Sequence, residues 1–193
     1  MPIFYLIFGH LVADFILQPY ELIRWKFKGW QGIMFHAVIH FLLYLLVFFP
    51  YLPDLTVFLT VLAVAGAHFA IDRVKVDTER RGRRFRLYFV LDQVSHLVLM
   101  TGGGFLLGGL QPKFADLSYF SILYQDPLVM AGLVLLLFFT YPLEIWFFQR
   151  KRESTPEVTF KPDYDAMLKR AVVFTAIYGA FMIFGIYRVA AFY

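Results

Sequence analysis

Six apolar segments, each about as long as a membrane-crossing helix, alternate with short polar connections along the chain. An α-helix needs about 20 mostly apolar residues to cross the hydrocarbon core of a bilayer. The pattern therefore predicts an all-α membrane protein with six transmembrane helices. The predicted spans cover residues 2–20, 30–49, 55–71, 87–107, 127–148 and 171–191.

The composition agrees with a bilayer as the solvent. The 193 residues are 60% hydrophobic and 20% aromatic, and the mean hydropathy is +0.65. A soluble domain is about 45–50% apolar, so a soluble core of this size does not absorb the excess, and we expect membrane lipid as a partner. The chain has no cysteine, which excludes disulfides and thiolate metal ligands. The N-terminal segment lacks a basic region and a small-residue cleavage site, so we expect no removable signal peptide.

Lysine and arginine lie almost entirely in three connections, those after the first, third and fifth predicted spans. The positive-inside rule then places these connections in the cytoplasm and both termini outside. The net charge of +4 is thereby explained by orientation and contact with anionic lipid rather than by nucleic acid, which we do not expect as a partner. The basic residues of the three connections are Arg24, Lys26, Lys28, Arg73, Lys75, Arg80, Arg81, Arg83, Arg84, Arg86, Arg150, Lys151, Arg152, Lys161, Lys169 and Arg170.

Four pairs of histidine or aspartate interrupt the first four apolar segments, and they contain all five histidines of the chain. Each pair has i,i+4 spacing, which puts both side chains on one face of a helix. Ionisable side chains inside a membrane are costly unless they have partners. The pairs are His10 with Asp14, His36 with His40, His68 with Asp72, and Asp92 with His96.

The four pairs share one depth in the predicted bundle. Counted from the basic end of each span, they agree to within about two helical turns at 1.5 Å per residue. They also form a weak repeat, because the first and second pairs are 21 residues apart and the third and fourth are 19 apart. The repeat predicts two ligand-bearing hairpins related by a pseudo-two-fold axis along the membrane normal.

Eight imidazole and carboxylate ligands at one level predict a divalent metal site, with zinc favoured and iron or manganese also suited. The number of ligands is sufficient for two ions, so we expect a dinuclear centre that activates water. Residues 1–193 then form a single membrane domain, with a metal-binding four-helix core over 1–108 and two further helices over 109–193. A single histidine or aspartate in an apolar helix is more often a packing residue, and a chain of them also serves as a proton or ion pathway.

Three further polar residues lie near the predicted ligands. Glu144 is at their depth in the fifth span and is a candidate general base; the alternative is a snorkelling or ion-paired glutamate beside Arg150. Gln18 and Gln93 flank the pairs and are expected to hydrogen-bond the ligands, although Gln18 also suits the membrane interface.

The runs GHLVADFILQ, AHFAIDRVK and LDQVSHL, together with His36-x-x-x-His40, resemble a family of small bacterial integral membrane proteins known as domain of unknown function 3307. The resemblance covers about the first hundred residues and implies a multi-pass protein of a bacterial inner membrane. It implies no established activity. The pattern is also loosely similar to membrane-bound metal-dependent hydrolases, including the ceramidase-like hydrolases.

Two classes of function remain open. The first is a metal-dependent hydrolase that acts on the headgroup of a lipid or other amphiphile, and the second is a transporter or channel for a divalent ion or proton. The polar residues stop in the cytoplasmic half of the predicted spans, which favours the hydrolase. We expect an anionic amphiphile as the substrate, held at the mouth of the site by Arg80, Arg81, Arg83, Arg84 and Arg86.

Overall fold

The computed structural model describes residues 2–82, 84–110, 127–155 and 160–190, and within these ranges every regular element is a helix. Helix α1 (Pro2–Leu11) continues directly into a π-helical turn (Val12–Ile16). A short 3₁₀ turn, Phe49–Tyr51, follows the third helix. The remaining helices are α2 (Tyr20–Lys28), α3 (Trp30–Val47), α4 (Leu55–Arg81), α5 (Phe85–Leu106), α6 (Pro127–Ser154) and α7 (Tyr164–Ala190).

Helices α3 to α7 are each long and apolar enough to cross a membrane, and α1 with α2 would make a sixth span. Within the described residues, the prediction of an all-α protein whose helices are long and apolar enough to cross a membrane is thus confirmed. Many large apolar side chains point outward, among them Leu46, Val98 and Phe105, which are 68%, 68% and 81% exposed. An apolar surface of this extent suits contact with lipid.

The first predicted span is not one continuous helix in the structure. The helix that starts at Pro2 ends at Ile16, and α2 leaves at 91° to it. Pro19 stands at the N-cap of α2; a proline disfavours helical backbone in the residue before it, so the helix does not run through Gln18. The predicted polar connection over 21–29 is in fact mostly the helix α2.

Helix α4 also exceeds its prediction, since it runs ten residues beyond position 71 and ends at Arg81. Lysine, arginine and glutamate favour helix as much as most apolar residues do. Hydropathy therefore marks where the apolar segment ends and does not mark where the helix ends. As a result, Arg73, Lys75, Arg80 and Arg81 lie on a helix rather than in a loop.

Helix α1 lies inside the bundle, in contact with α3, α5 and α6. Around it α3 packs on α4, α4 on α5, α5 on α6, and α6 on α7, while α2 packs on α3. Two glycines allow the closest approaches. A Cβ on Gly104 of α5 would lie 2.8 Å from the Cα of Ile3, and a Cβ on Gly32 of α3 would overlap the backbone of Trp25 and Lys26.

The buried apolar core lies toward the end of the bundle that is opposite the basic residues. Its members precede the His/Asp pairs on α1 and α4 and follow them on α3 and α5. The bundle thus has an apolar end, a layer of His and Asp, and a basic end. The core residues are Tyr5, Leu6, Tyr44, Val47, Phe48, Tyr51, Val57, Val61, Val64, Met100, Leu107 and Met130.

Candidate metal centre

The structure turns all four His/Asp pairs into the bundle, where they form one buried cluster. His36 and His40 are fully buried, and none of the other three histidines is more than 2% exposed. Asp72 and Asp92 are also buried, and the Asp14 side chain is 8% exposed. The rings touch one another, with centroids 3.7 Å apart for His40 and His68 and 4.2 Å apart for His68 and His96.

Asp14 lies at the centre of the tightest contacts. Its Oδ1 is 2.9 Å from Nε2 of His36 and 2.9 Å from Nε2 of His40. These two nitrogens are 3.1 Å apart, and Nε2 of His68 is 3.8 Å from the same oxygen. Asp14 is in the π-helical turn, a form of helix that occurs mostly as single turns and frequently at functional sites.

Three overlapping groups of side chains have ligand atoms that all lie within 4.8 Å of one another. Together they contain seven of the eight predicted ligands. Asp92 is the exception, because it belongs to none of the three groups. The groups are Asp14, His36, His40 and His68; His10, Asp14 and His96; and His68, Asp72 and His96.

The four-membered group fits a divalent ion in its spacing. Zinc binds nitrogen and oxygen at about 2.0–2.1 Å in a tetrahedron, which separates neighbouring ligand atoms by about 3.3 Å. Four distances between ligand atoms of this group, from Oδ1 of Asp14 to the three Nε2 atoms and from His36 to His40, range from 2.9 to 3.8 Å. They lie on both sides of the tetrahedral value. Three imidazoles and one carboxylate are also a ligand set that zinc, iron and manganese accept.

The hydrogen bonds of the cluster are incomplete. Within the described ranges, both ring nitrogens of His10, His68 and His96 are buried and have no hydrogen-bond partner. Buried polar side-chain atoms are normally hydrogen-bonded, and each that is not costs about 1–3 kcal/mol. A metal ion would coordinate several of these nitrogens, so this second observation also fits a metal site.

Two lysines that the sequence did not single out contact the predicted carboxylate ligands. Nζ of Lys26 is 2.5 Å from Oδ2 of Asp72, and Nζ of Lys75 is 2.8 Å from Oδ2 of Asp92. Both lysines belong to the predicted cytoplasmic connections. The place of Lys75 beside the cluster could have been predicted from the sequence, because it lies three residues after Asp72 and so on the same helical face. No feature of the sequence indicates the place of Lys26, since it depends on the bend before α2.

Both predicted glutamines lie beside the cluster. Gln18 donates a hydrogen bond from Nε2 to the backbone carbonyl of Asp14 at 2.9 Å, and its Oε1 accepts one from Lys26 at 2.9 Å. Gln93 donates from Nε2 to Oδ2 of Asp92 at 3.1 Å. Each glutamine therefore contacts a predicted ligand or the lysine that pairs with one.

Glu144 has contacts of a different kind. Its Oε2 accepts a hydrogen bond from Nη2 of Arg170 at 2.7 Å, and its Oε1 accepts one from the backbone N–H of Asp163 at 2.9 Å. These contacts tie α6 to α7 and to the segment before it. They match the structural alternative, an ion-paired glutamate, although the partner is Arg170 and not the expected Arg150. Glu144 is in none of the three groups of potential ligands.

A cavity of about 530 Å³ reaches the cluster at Asp14. Half of its lining residues are polar or charged and a third are aromatic, and its size is typical of sites for small molecules. Its charged residues are Asp14, Arg24, Lys26, Lys75, Glu79 and Arg152. Its aromatic residues are Phe15, Tyr20, Phe27, Phe89, Phe148 and Phe160.

The arginines predicted to hold a headgroup at this mouth are elsewhere. Arg80 donates to Asp77 and to the carbonyl of Phe27, and Arg86 donates from Nε to Glu153 at 2.5 Å. None of the four described arginines lines the cavity, and Arg83 lies outside the described residues. The basic residues at the cavity are the ones on α2, α4 and α6, because those helices surround it.

The fold and the cluster together define an all-helical protein, over its described residues, with five or six helices that could cross a membrane and a buried group of His and Asp side chains. The model of the family described as "Protein of unknown function (DUF3307)" matches residues 3–103, and the chain belongs to this family. The match includes all eight predicted ligands and does not reach α6 or α7. No curated protein and no solved structure shows significant similarity to the chain.

Proposed function

We propose that this protein is a metal-dependent membrane hydrolase that acts on the headgroup of a lipid or other amphiphile. The proposal rests on one observation above the others. The four-ligand group of Asp14, His36, His40 and His68 is buried, and its Asp14 forms part of the wall of an amphiphilic cavity. An ion in that group would be shielded from lipid and open to a substrate on one side.

A divalent ion in a site with an open position polarises a substrate oxygen and makes water nucleophilic at neutral pH. The residues of the chain supply the remaining requirements. Three imidazoles and Asp14 would hold the ion, which can expand to five ligands and so take a water from the cavity, and the surrounding helices would keep lipid away from it. Lys26 and Lys75 bring positive charge to the cavity wall, where charge that develops on a headgroup is stabilised.

The cavity favours an amphiphile as the substrate class. Its aromatic wall accepts an apolar chain, and Arg24, Lys26, Lys75 and Arg152 lie among those aromatic residues. Once a divalent ion is bound, the site carries excess positive charge, which favours an anionic or phosphate-bearing headgroup. A lipid already in the leaflet would reach the site without crossing an apolar layer.

The proposed setting is a bacterial inner membrane, with the basic ends of α4 and α6 in the cytoplasm and both termini outside. The three basic connections support this orientation through the positive-inside rule. We also propose that α1 with α3 and α4 with α5 are two halves of an internal repeat, because each half contributes two His/Asp pairs to the one cluster.

The apolar core favours hydrolysis over transport. A transporter needs a polar path from the cluster to the other side of the membrane. Beyond the cluster, the described helices bury Leu6, Val57, Val61 and Met100. That layer would close such a path.

The experiment uses the full chain in lipid vesicles that contain a panel of anionic and neutral lipids together with Zn²⁺. We expect the unaltered protein to release headgroup or acyl product, detected by mass spectrometry, and His36→Ala to release none. Ser95→Ala is the matched control, because Ser95 is exposed on α5 and its hydroxyl donates only to the carbonyl of Leu91. Zinc or proton uptake into the vesicles, with no product from any lipid, would instead indicate a transporter.

A further inference from the structure

We infer that the centre holds a single divalent ion and that the ammonium group of Lys26 occupies the place of a second. The inference rests on the proposed metal site and deepens it. It departs from the two-ion centre that the number of ligands predicts. The contacts of Asp72, the charge balance of the cluster and the placement of α2 support it independently.

The contacts of Asp72 come first. A second ion, beside one held by Asp14, His36 and His40, would lie in the group of His68, Asp72 and His96 or in the group of His10, Asp14 and His96. Only the group that contains Asp72 gives the second ion a carboxylate of its own. The oxygen of Asp72 that faces the imidazoles is Oδ2, which lies 3.6 Å from Nε2 of His68 and 3.7 Å from Nε2 of His36. Nζ of Lys26 is 2.5 Å from that same oxygen. The ammonium group therefore lies where a second ion with a carboxylate of its own would bind.

The charge balance leads to the same stoichiometry. Histidines that bind metal are neutral, so the charges of the cluster are its three carboxylates and the ammonium groups of Lys26 and Lys75 that contact two of them. These leave one negative charge. One divalent ion changes this to one positive charge, and two ions change it to three. Uncompensated charge inside a membrane protein is strongly unfavourable, so one ion is favoured over two, and removal of the Lys26 charge lowers the cost of a second ion.

The position of Lys26 is built into the fold. Lys26 is 5% exposed although it belongs to a short helix with a polar surface. Gly32 has no side chain, which allows the backbone of α2 to lie directly on α3. Gln18 then accepts a hydrogen bond from Nζ of Lys26 at 2.9 Å. A lysine that only oriented the protein in the membrane would need neither the close packing at Gly32 nor the hydrogen bond to Gln18.

The test is the number of zinc ions bound per full-length chain, measured by equilibrium dialysis and elemental analysis in detergent. We expect one for the unaltered protein. Lys26→Met keeps most of the side-chain volume and removes the charge, so it should bind two. Lys26→Arg keeps the charge and should bind one. Lys28→Met is the matched control, because Lys28 is exposed on the same helix, and it should also bind one.

A second pair of variants gives the answer even if Lys26→Met folds poorly. With a single ion, Asp72 is not a ligand, so Asp72→Asn should still bind one zinc. The double variant Lys26→Met, Asp72→Asn should bind one as well. Two ions in the unaltered protein, or one ion in folded Lys26→Met, would overturn the inference and leave the metal site standing. No zinc in the unaltered protein would instead overturn the proposed metal site itself.

Discussion

The Nε2 atoms of His36 and His40 lie 3.1 Å apart, and each is 2.9 Å from the same oxygen of Asp14. A neutral imidazole nitrogen is either a donor or an acceptor. If both nitrogens donate to Asp14, they present two hydrogens to each other. If one of them accepts, it has no proton for the carboxylate. A cation at the centre of the three atoms satisfies all of them through lone pairs.

The first prediction follows from this contact and concerns zinc affinity. Asp14→Asn removes the negative charge from one of the three converging ligand atoms, and His40→Ala removes another of these atoms. Loss of an outer hydrogen-bond partner alone costs about 10–100-fold in metal affinity, so we expect each variant to lose at least that much. Competition with a fluorescent zinc chelator measures the affinity. Unchanged affinity in a folded Asp14→Asn protein would contradict the assignment, and Ser95→Ala serves as the control.

The second prediction concerns Glu144 and separates a structural role from a role as a metal ligand. Glu144→Gln leaves Arg170 without its charged partner at a half-buried position, so we expect it to destabilise the fold by about 1–3 kcal/mol. Zinc content should not change. Arg170→Gln should have a similar effect, and the double variant should cost less than the sum of the two, as a thermal unfolding series in detergent would reveal. Loss of zinc from Glu144→Gln would place the carboxylate at the metal after all.

The third prediction uses two neighbouring glycines of α5 that differ in their surroundings. A Cβ on Gly104 meets Ile3 of α1, whereas a Cβ on Gly102 meets nothing within 4 Å. We expect Gly104→Ala to lower stability by about 1–3 kcal/mol through overpacking. Gly102→Ala should raise it by about 0.5–1 kcal/mol, because alanine favours helix over glycine. Equal effects of the two substitutions on the melting temperature would contradict the close packing of α1 on α5.

The fourth prediction concerns orientation in the membrane. The chain has no cysteine, so a single introduced cysteine reports its own position. Leu55→Cys is at the apolar end of the bundle and should react with a membrane-impermeant thiol reagent in intact cells. Arg81→Cys is at the basic end and should react only after permeabilisation. The reverse pattern would place the termini in the cytoplasm and invert the proposed topology.

The local features of the site were available from the sequence. A run of apolar residues decides whether a helix suits a bilayer, and i,i+4 spacing decides which side chains share its face. Both properties belong to a single segment. For this reason the helices long and apolar enough to cross a membrane, and the place of each His/Asp pair on one helical face, could be predicted without any knowledge of packing.

Contacts between distant segments were decided only by the tertiary structure. Lys26 reaches Asp72 because the chain turns by 91° after Ile16 and because Gly32 allows α2 to lie on α3. Glu144 pairs with Arg170 because α6 and α7 pack together. Charge and hydropathy along a sequence do not specify which segments become neighbours. The sequence therefore determined which ligands the protein offers, and packing determined which of them are already paired with a lysine.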